Sequence, residues 1–382
     1  MKNFTKILAF ILIFTFLTVF SFPKIAKADV DLAPQSKSAI LIDAVSGQVL
    51  FEKNKEEKLA PASVTKIMTL LLIMEALEDG RLKLDEVLTA SPEACRMGGS
   101  QIWLEPGEKM TAEDLIISVA VASANDSAYV LAERIAGSHD NFVKMMNEKA
   151  KELGMSNTNF VNCTGLDADE HYTTAEDIAK MSRELVKHKQ ILKWTSLYEY
   201  YIRNGESWLV NTNKLVRFYE GCDGLKTGST SKAGFCLSAT AVKDGMRLIA
   251  VVMNAPSSKI RNAEISQMLN YGFANFTSQK IVDKGSIVEK ISVEKGMTDQ
   301  LALITADELQ VVIPKTQKDE ITIKTEKPEK ITAPIQKGTK IGRLVAIKDG
   351  KEIASVDLVA LEDIEKANFF KIFQQLLISA FK

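Results

Sequence analysis

Three short motifs in a fixed order constrain the fold of this chain more than any bulk property: Ser63-Val64-Thr65-Lys66, Ser123-Ala124-Asn125 and Lys226-Thr227-Gly228. S-x-x-K recurs elsewhere, for example at Ser21 to Lys24, Ser229 to Lys232 and Ser292 to Lys295, so by itself it carries little weight. S-x-N and K-T-G each occur once, following Ser63 by 60 and 163 residues. Side chains so far apart act together only if the fold brings them to one pocket. The local patterns place them on different kinds of element.

Pro61-Ala62-Ser63 leads into an apolar segment, residues 64–78, long enough for a buried helix that stops near Gly80. Ser123 and Asn125 fall inside a second helical pattern, 112–136, and further helices are predicted over 141–153, 174–187 and 257–276. Residues 38–53 read as a β-hairpin around Ser46-Gly47. After Gly221 strands return over 224–227, 234–242 and 246–253, the last two joined by the turn Lys243-Asp244-Gly245. Strands first, helices in the middle and strands last predict an α/β (α+β) domain over residues 29–277, its antiparallel sheet closed by both ends of the segment and flanked by helices.

From residue 278 to 363 short β-type runs follow one another, with Lys348-Asp349-Gly350 as a hairpin turn. This stretch reads as a small all-β module, a spacer or docking unit without a catalytic cluster. Residues 364–382 form a third region. Phe369, Phe370, Ile372, Phe373, Leu376, Leu377, Ala380 and Phe381 gather on one side of a helix over 367–382, the pattern of an amphipathic helix lying in a membrane surface. At the other end, Lys2 and Lys6 precede an apolar stretch, 7–22, and Ala26-Lys27-Ala28 offers a cleavage site. Residues 1–28 are therefore expected to be an export signal, placing the rest of the chain outside the cytoplasm.

Residues 1–28 hold four lysines and no acid, which leaves 44 basic against 49 acidic residues, a net −5. That balance, with no basic run, excludes a nucleic-acid partner. The four cysteines are sparse and irregularly spaced, and His139, His171 and His188 form no ligand pattern, so neither metal nor cofactor is expected.

A serine hydroxyl attacks only when a neighbouring base takes its proton. Lys66, one helical turn beyond Ser63 on the same face, is in position to do so once it is neutral. Burial or a second cation would lower its pKa, and Lys226 is the expected second cation. The Ser63 N–H at a helix start is a candidate donor to the oxyanion. Ser123 is suited to relay a proton from Lys66 to the leaving amine, and Asn125 to hold Lys66 and the substrate amide. Gly228 lets an acyl group approach the Lys226-Thr227-Gly228 strand, beside which an extended substrate would lie as an added strand.

This arrangement is that of the S-x-x-K enzymes. It resembles the penicillin-recognising serine enzymes, and among them the low-molecular-mass D-alanyl-D-alanine carboxypeptidases, over nearly the whole chain behind the signal. Met97-Gly98-Gly99-Ser100, Gly165-Leu166-Asp167-Ala168-Asp169 and Thr173-Thr174-Ala175 look like loops of that family. The resemblance implies a β-lactamase/transpeptidase-like domain, with Ser63 as acyl-ester nucleophile, Lys66 as its base and Ser123 as proton relay. It further implies substrate binding by Asn125, Lys226, Thr227 and Gly228, a second oxyanion N–H from Ser229, and Arg261 for the substrate's terminal carboxylate. Where some members carry histidine, this chain has Ser229. The implied partners are peptidoglycan stem peptides ending in D-Ala-D-Ala, β-lactams as covalent inhibitors, and the outer face of the cytoplasmic membrane. DD-endopeptidase action is compatible with the same motifs. A class A β-lactamase would need an E-x-x-x-N arrangement that residues 140–180 lack, and a silent wall-binding scaffold would not need every catalytic group.

Overall fold

The protein is described by a computed structural model that covers residues 31–316, 321–369 and 371. The expected signal, 1–28, and all of the expected tail helix beyond Lys371 lie outside the described residues. At its visible start, the Lys371 N–H donates to Asn368 Oδ1 at 3.0 Å, the arrangement of a helix N-cap, while Ala367 is still bonded to the β module through Lys295 O.

Five strands form the central sheet: β1 (Ser38–Asp43), β2 (Val49–Lys53), β3 (Cys222–Thr230), β4 (Gly234–Lys243) and β5 (Met246–Ala255). Their order is β2-β1-β5-β4-β3, antiparallel throughout, so the two ends of the domain meet where β1 pairs with β5. Alternation along the strands sends their apolar residues to opposite faces. Ile40 and Ile42 of β1, with Ile249, Val251 and Met253 of β5, join the larger, helical core. Ala39, Leu41, Leu248, Ala250 and Val252 face the other way, against Ile265, Met268 and Leu269 of the helix Ser258–Asn275. Both faces are covered, which is why these strands read as nearly continuous apolar runs.

The helices that position the site are α1 (Lys66–Glu78), α2 (Ala112–Val121), α3 (Asn125–Ala136), α4 (Ala175–Leu185) and α5 (Ser258–Asn275). In α1 every residue from Lys66 to Met74 is buried, as expected of a helix that is apolar all round. Thr111, Thr174 and Ser257 cap α2, α4 and α5 through their side-chain oxygens.

Two local departures from the sequence reading matter for chemistry. Ser63 stands in a 3-10 turn, Ala62–Thr65, ahead of α1 rather than in α-helix. The pattern over 112–136 is not one helix but α2 and α3, separated at Ser123, whose φ is +65°. The helix-start N–H of Asn125 bonds Ser100 O at 2.7 Å, so a crossing loop satisfies the donor that the break exposes.

After α5 the chain enters strand Phe276–Val282 directly, two residues before the expected boundary. That strand pairs with Leu309–Pro314, and Val312 packs into the core under α5. The rest of the module is a six-stranded sheet in the order Thr322–Glu326, Lys340–Lys348, Lys351–Ala360, Gln300–Thr305, Ile287–Glu294, Lys330–Thr332. Leu301, Leu303, Leu344 and Leu358 are at the centre of its own core.

Candidate active site

The 3-10 turn brings Ser63 and Lys66 together. Residues i and i+3 eclipse in a 3-10 turn, so the two side chains stack more closely than on an α-helix. Lys66 Nζ lies 3.1 Å from Ser63 Oγ. It also donates to Asn125 Oδ1 at 2.5 Å and to Thr164 O at 2.7 Å. Ser63 keeps partial access to solvent, whereas Lys66 has none.

Asn125 is fixed from both ends. Its Oδ1 faces Lys66 and its Nδ2 donates to Gly98 O at 2.5 Å, so the amide cannot rotate without breaking both bonds. Ser123, two residues earlier, is 3% exposed, and among the described residues its Oγ has no hydrogen-bond partner. An orphaned buried hydroxyl costs about 1–3 kcal/mol and marks a group held for another purpose.

The third motif arrives on β3, at the edge of the sheet. Lys226 is 1% exposed and among the described residues donates only to Thr227 O, while Thr227 Oγ1 donates to Thr212 Oγ1 at 2.7 Å. Gly228 is required by proximity. A Cβ there would lie 2.8 Å from Pro61 O and 2.9 Å from the backbone nitrogens of both Ser63 and Val64. The strand thus touches the backbone of Ser63 itself, and Ser229 follows at the solvent-exposed end. Arg261, in the first turn of α5, is 5% exposed and bonds the Asn262 side chain. Among the described residues no carboxylate pairs with it.

Burial brings the Lys66 ammonium down to about 7, against weak opposition from Cys163 and Asp126. The expectation from sequence was that Lys226 would share in this lowering. Instead the repulsion between the two falls on Lys226, which is lowered well below its ordinary value by burial first, then by Lys66 and Arg261. Burial also lowers Arg261, to about 10. The nearest acid, Asp126, is fully engaged by the backbone N–H groups of Ile102, Leu104 and Ser127. Lys226 thus lies close to both Lys66 and Arg261 without a free counter-ion among the described residues, an environment that favours an anionic ligand.

Sequence reasoning missed the loop over residues 161–171 as a structural partner of Lys66. Gly165, at φ +84°, packs so closely that a Cβ would lie 1.9 Å from Ala62 O. Asn162 Oδ1 gathers the N–H groups of Thr164 and Gly165, which aims the Thr164 carbonyl at Lys66. His171 fastens the loop: its Nδ1 accepts the Val161 N–H at 2.9 Å and its Nε2 lies 2.8 Å from Thr65 Oγ1. The backbone donor at Nδ1 leaves the proton on Nε2. The only sequence signal was the glycine-containing string at Gly165, which named a loop but no contact.

Residues 24–257 match the family model of D-alanyl-D-alanine carboxypeptidase, and residues 276–366 match that of the penicillin-binding protein 5 C-terminal domain. The chain is 44% identical to D-alanyl-D-alanine carboxypeptidase DacF of Bacillus subtilis, over 97% of this chain and 98% of that protein. Among solved structures it is similar to penicillin-binding protein 5 of Haemophilus influenzae, with a TM-score of 0.73 at 32% identity, covering 87% of this chain and 98% of that one. It is also similar to penicillin-binding protein D2 of Listeria monocytogenes in its ampicillin-bound form, with a TM-score of 0.58 at 32% identity, covering 63% of this chain and 98% of that one.

Proposed function

This chain belongs to the D-alanyl-D-alanine carboxypeptidase family of serine peptidases, and we propose that it removes the terminal D-alanine from stem peptides ending in D-Ala-D-Ala through an acyl-enzyme on Ser63. The observation that carries this reading is the hydrogen bonding of Lys66. A neutral amine has two N–H bonds and one lone pair. Asn125 Oδ1 and Thr164 O accept the two hydrogens, which leaves the lone pair for the Ser63 hydroxyl. Once Lys66 takes that proton, all three of its N–H groups still have acceptors, so the transfer needs no rearrangement.

In the reaction, Ser63 Oγ attacks the carbonyl of the penultimate D-alanine while Lys66 takes its proton. The N–H groups of Ser63 and Ser229 hold the oxyanion. Ser123 Oγ, which has no partner among the described residues, passes the proton to the leaving amine. The substrate's terminal carboxylate binds among Lys226, Thr227 and Arg261, and its charge offsets the repulsion between the two cations. Asn125 orients both Lys66 and the substrate amide, and Gly228 keeps the β3 backbone close to the ester. Water then releases the shortened stem. Residues 140–180 lack the E-x-x-x-N arrangement with which a class A lactamase activates the deacylating water, which favours a peptidase over a lactamase. A β-lactam, entering by the same attack, would remain on Ser63 as an inhibitor.

Action outside the cytoplasm, with attachment to the outer membrane face through the 367–382 helix, is supported by the sequence patterns at the two ends and by the N-cap at Asn368. The test of the function is release of D-alanine from a free pentapeptide together with covalent labelling by fluorescent penicillin. Absence of both rejects the enzyme reading.

A further inference from the structure

The helix start that holds Lys66 also holds a second surface. Asp126, fully buried beside Asn125, accepts the Ile102 N–H at 3.1 Å and the Leu104 N–H at 3.1 Å. The carboxylate thereby grips the backbone on both sides of Trp103. Trp103 itself adopts φ +61°, a region that bulky side chains seldom enter, and its indole is turned outward, 73% exposed. Arg203 links this loop to a neighbouring hairpin. Its guanidinium donates to Ile102 O at 3.0 Å, Trp103 O at 3.4 Å and Ser207 Oγ at 3.1 Å. In that hairpin, Glu199–Ile202 pairs with Ser207–Val210, and Tyr201 stands directly opposite Trp208. Both are more than half exposed, and Trp208 Nε1 donates to Glu199 Oε2 at 3.2 Å.

Single exposed apolar residues are ordinary, but three large rings on one linked surface are not. We propose that Trp103, Tyr201 and Trp208 form a platform for the sugar rings of the glycan strand that carries the stem peptide. The proposal rests on the DD-carboxypeptidase reading, since that substrate is a peptide borne on a polysaccharide. Pyranose rings present C–H faces to aromatic rings and hydroxyls to the polar groups around them. Here the Glu199 carboxylate and the Ser207 hydroxyl supply those polar groups, while Arg203 is paired with Glu108. A protein partner would favour an interface centre depleted of charge, and a membrane surface a cluster of lysines or arginines. This surface has rings beside two acids, Glu199 and Glu108, and a single base, Arg203, which Glu108 pairs. Aromatic side chains also lose little conformational freedom on contact, so a rigid platform of this kind binds without a large ordering cost. Through the Asp126 carboxylate the Trp103 loop is tied to the helix start that carries Asn125.

Two measurements on the full chain test this. Tryptophan fluorescence, titrated with a short β-1,4-linked N-acetylglucosamine oligomer, should change saturably in the parent and not in the Tyr201→Ala, Trp208→Ala double variant. The ratio of kcat/KM on glycan-linked pentapeptide to kcat/KM on free pentapeptide should fall about tenfold in that variant, the weight of a single well-packed aromatic ring. An unchanged ratio overturns the platform, as does an equal loss on both substrates, which would mark the rings as structural. Binding of anionic vesicles that the variant loses while keeping the glycan ratio also overturns it. If the parent cleaves neither substrate, the enzyme reading fails, and the oligomer titration alone decides the platform.

Discussion

The acylation rate should titrate with Lys66, and its pH profile is the most discriminating consequence of the site's electrostatics. A lysine at its ordinary value near 10.5 would be neutral in about three molecules per ten thousand at pH 7. Burial brings Lys66 to about 7, which makes about half of the molecules competent, a gain of about a thousandfold in available base. The neutral form is the active one, so the rate rises with pH. It should climb about ninetyfold between pH 5 and pH 8, with a midpoint near 7, and level off above pH 8. The assay is the second-order rate of fluorescent-penicillin labelling, measured under conditions in which the β-lactam itself carries no titrating group over that range. A Lys66→Arg variant keeps the positive charge and offers no lone pair near neutral pH, so it should not label at any pH in the window. A rate that is flat from pH 5 to 9, or one that keeps climbing tenfold per unit beyond pH 9, would refute the assignment of Lys66 as the buried base.

Other consequences are simpler to check. Gly228→Ala puts a methyl group within 3.0 Å of three backbone atoms around Ser63, so β3 must move by a few tenths of an ångström; labelling should slow about 10–100-fold, and a rate within twofold of the parent would contradict the contact. His171 is held neutral by burial, which lowers it to about 4. Between that value and 6.5 the unfolded chain binds a proton that the folded one does not, so stability falls as pH drops through this window, by about 3 kcal/mol for this residue. Urea unfolding at pH 7 and pH 4.5 should show a smaller loss in His171→Gln than in the parent, and equal losses would rule this out. Removing residues 367–382 should release mature protein from membranes while activity on free pentapeptide persists; continued sedimentation with membranes would reject the tail as the anchor.

The sheet was legible because β1, β4 and β5 are buried on both faces and its turns are clear, as in residues 38–53 and at Lys243-Asp244-Gly245. The pairing of β1 with β5 was foreseeable only as a topology, since nothing local specifies a contact across two hundred residues. Helix continuity was misread at Ser123. Small apolar residues around it fit an unbroken helix, and the bond that ends it comes from Ser100 O, distant in sequence. The start of the strand over 276–282 is masked because Phe276 continues the apolar pattern of α5. Site side chains were legible through their ordered motifs. The groups that aim them were not, because the carbonyls of Thr164 and Gly98 carry no residue-type signal, and a backbone oxygen can belong to any residue. His171 fits no metal-ligand pattern in the sequence, and in the structure it fastens the 161–171 loop to Thr65 beside Ser63.

The central claim is that Ser63 forms the acyl-enzyme. Acid-quenched protein, digested after brief incubation with benzylpenicillin, should carry the penicilloyl mass on the peptide containing Ser63 and on no other. Ser63→Ala should remain folded, carry no adduct and release no D-alanine. An adduct on another serine, or D-alanine release by the Ser63→Ala protein, would contradict the account.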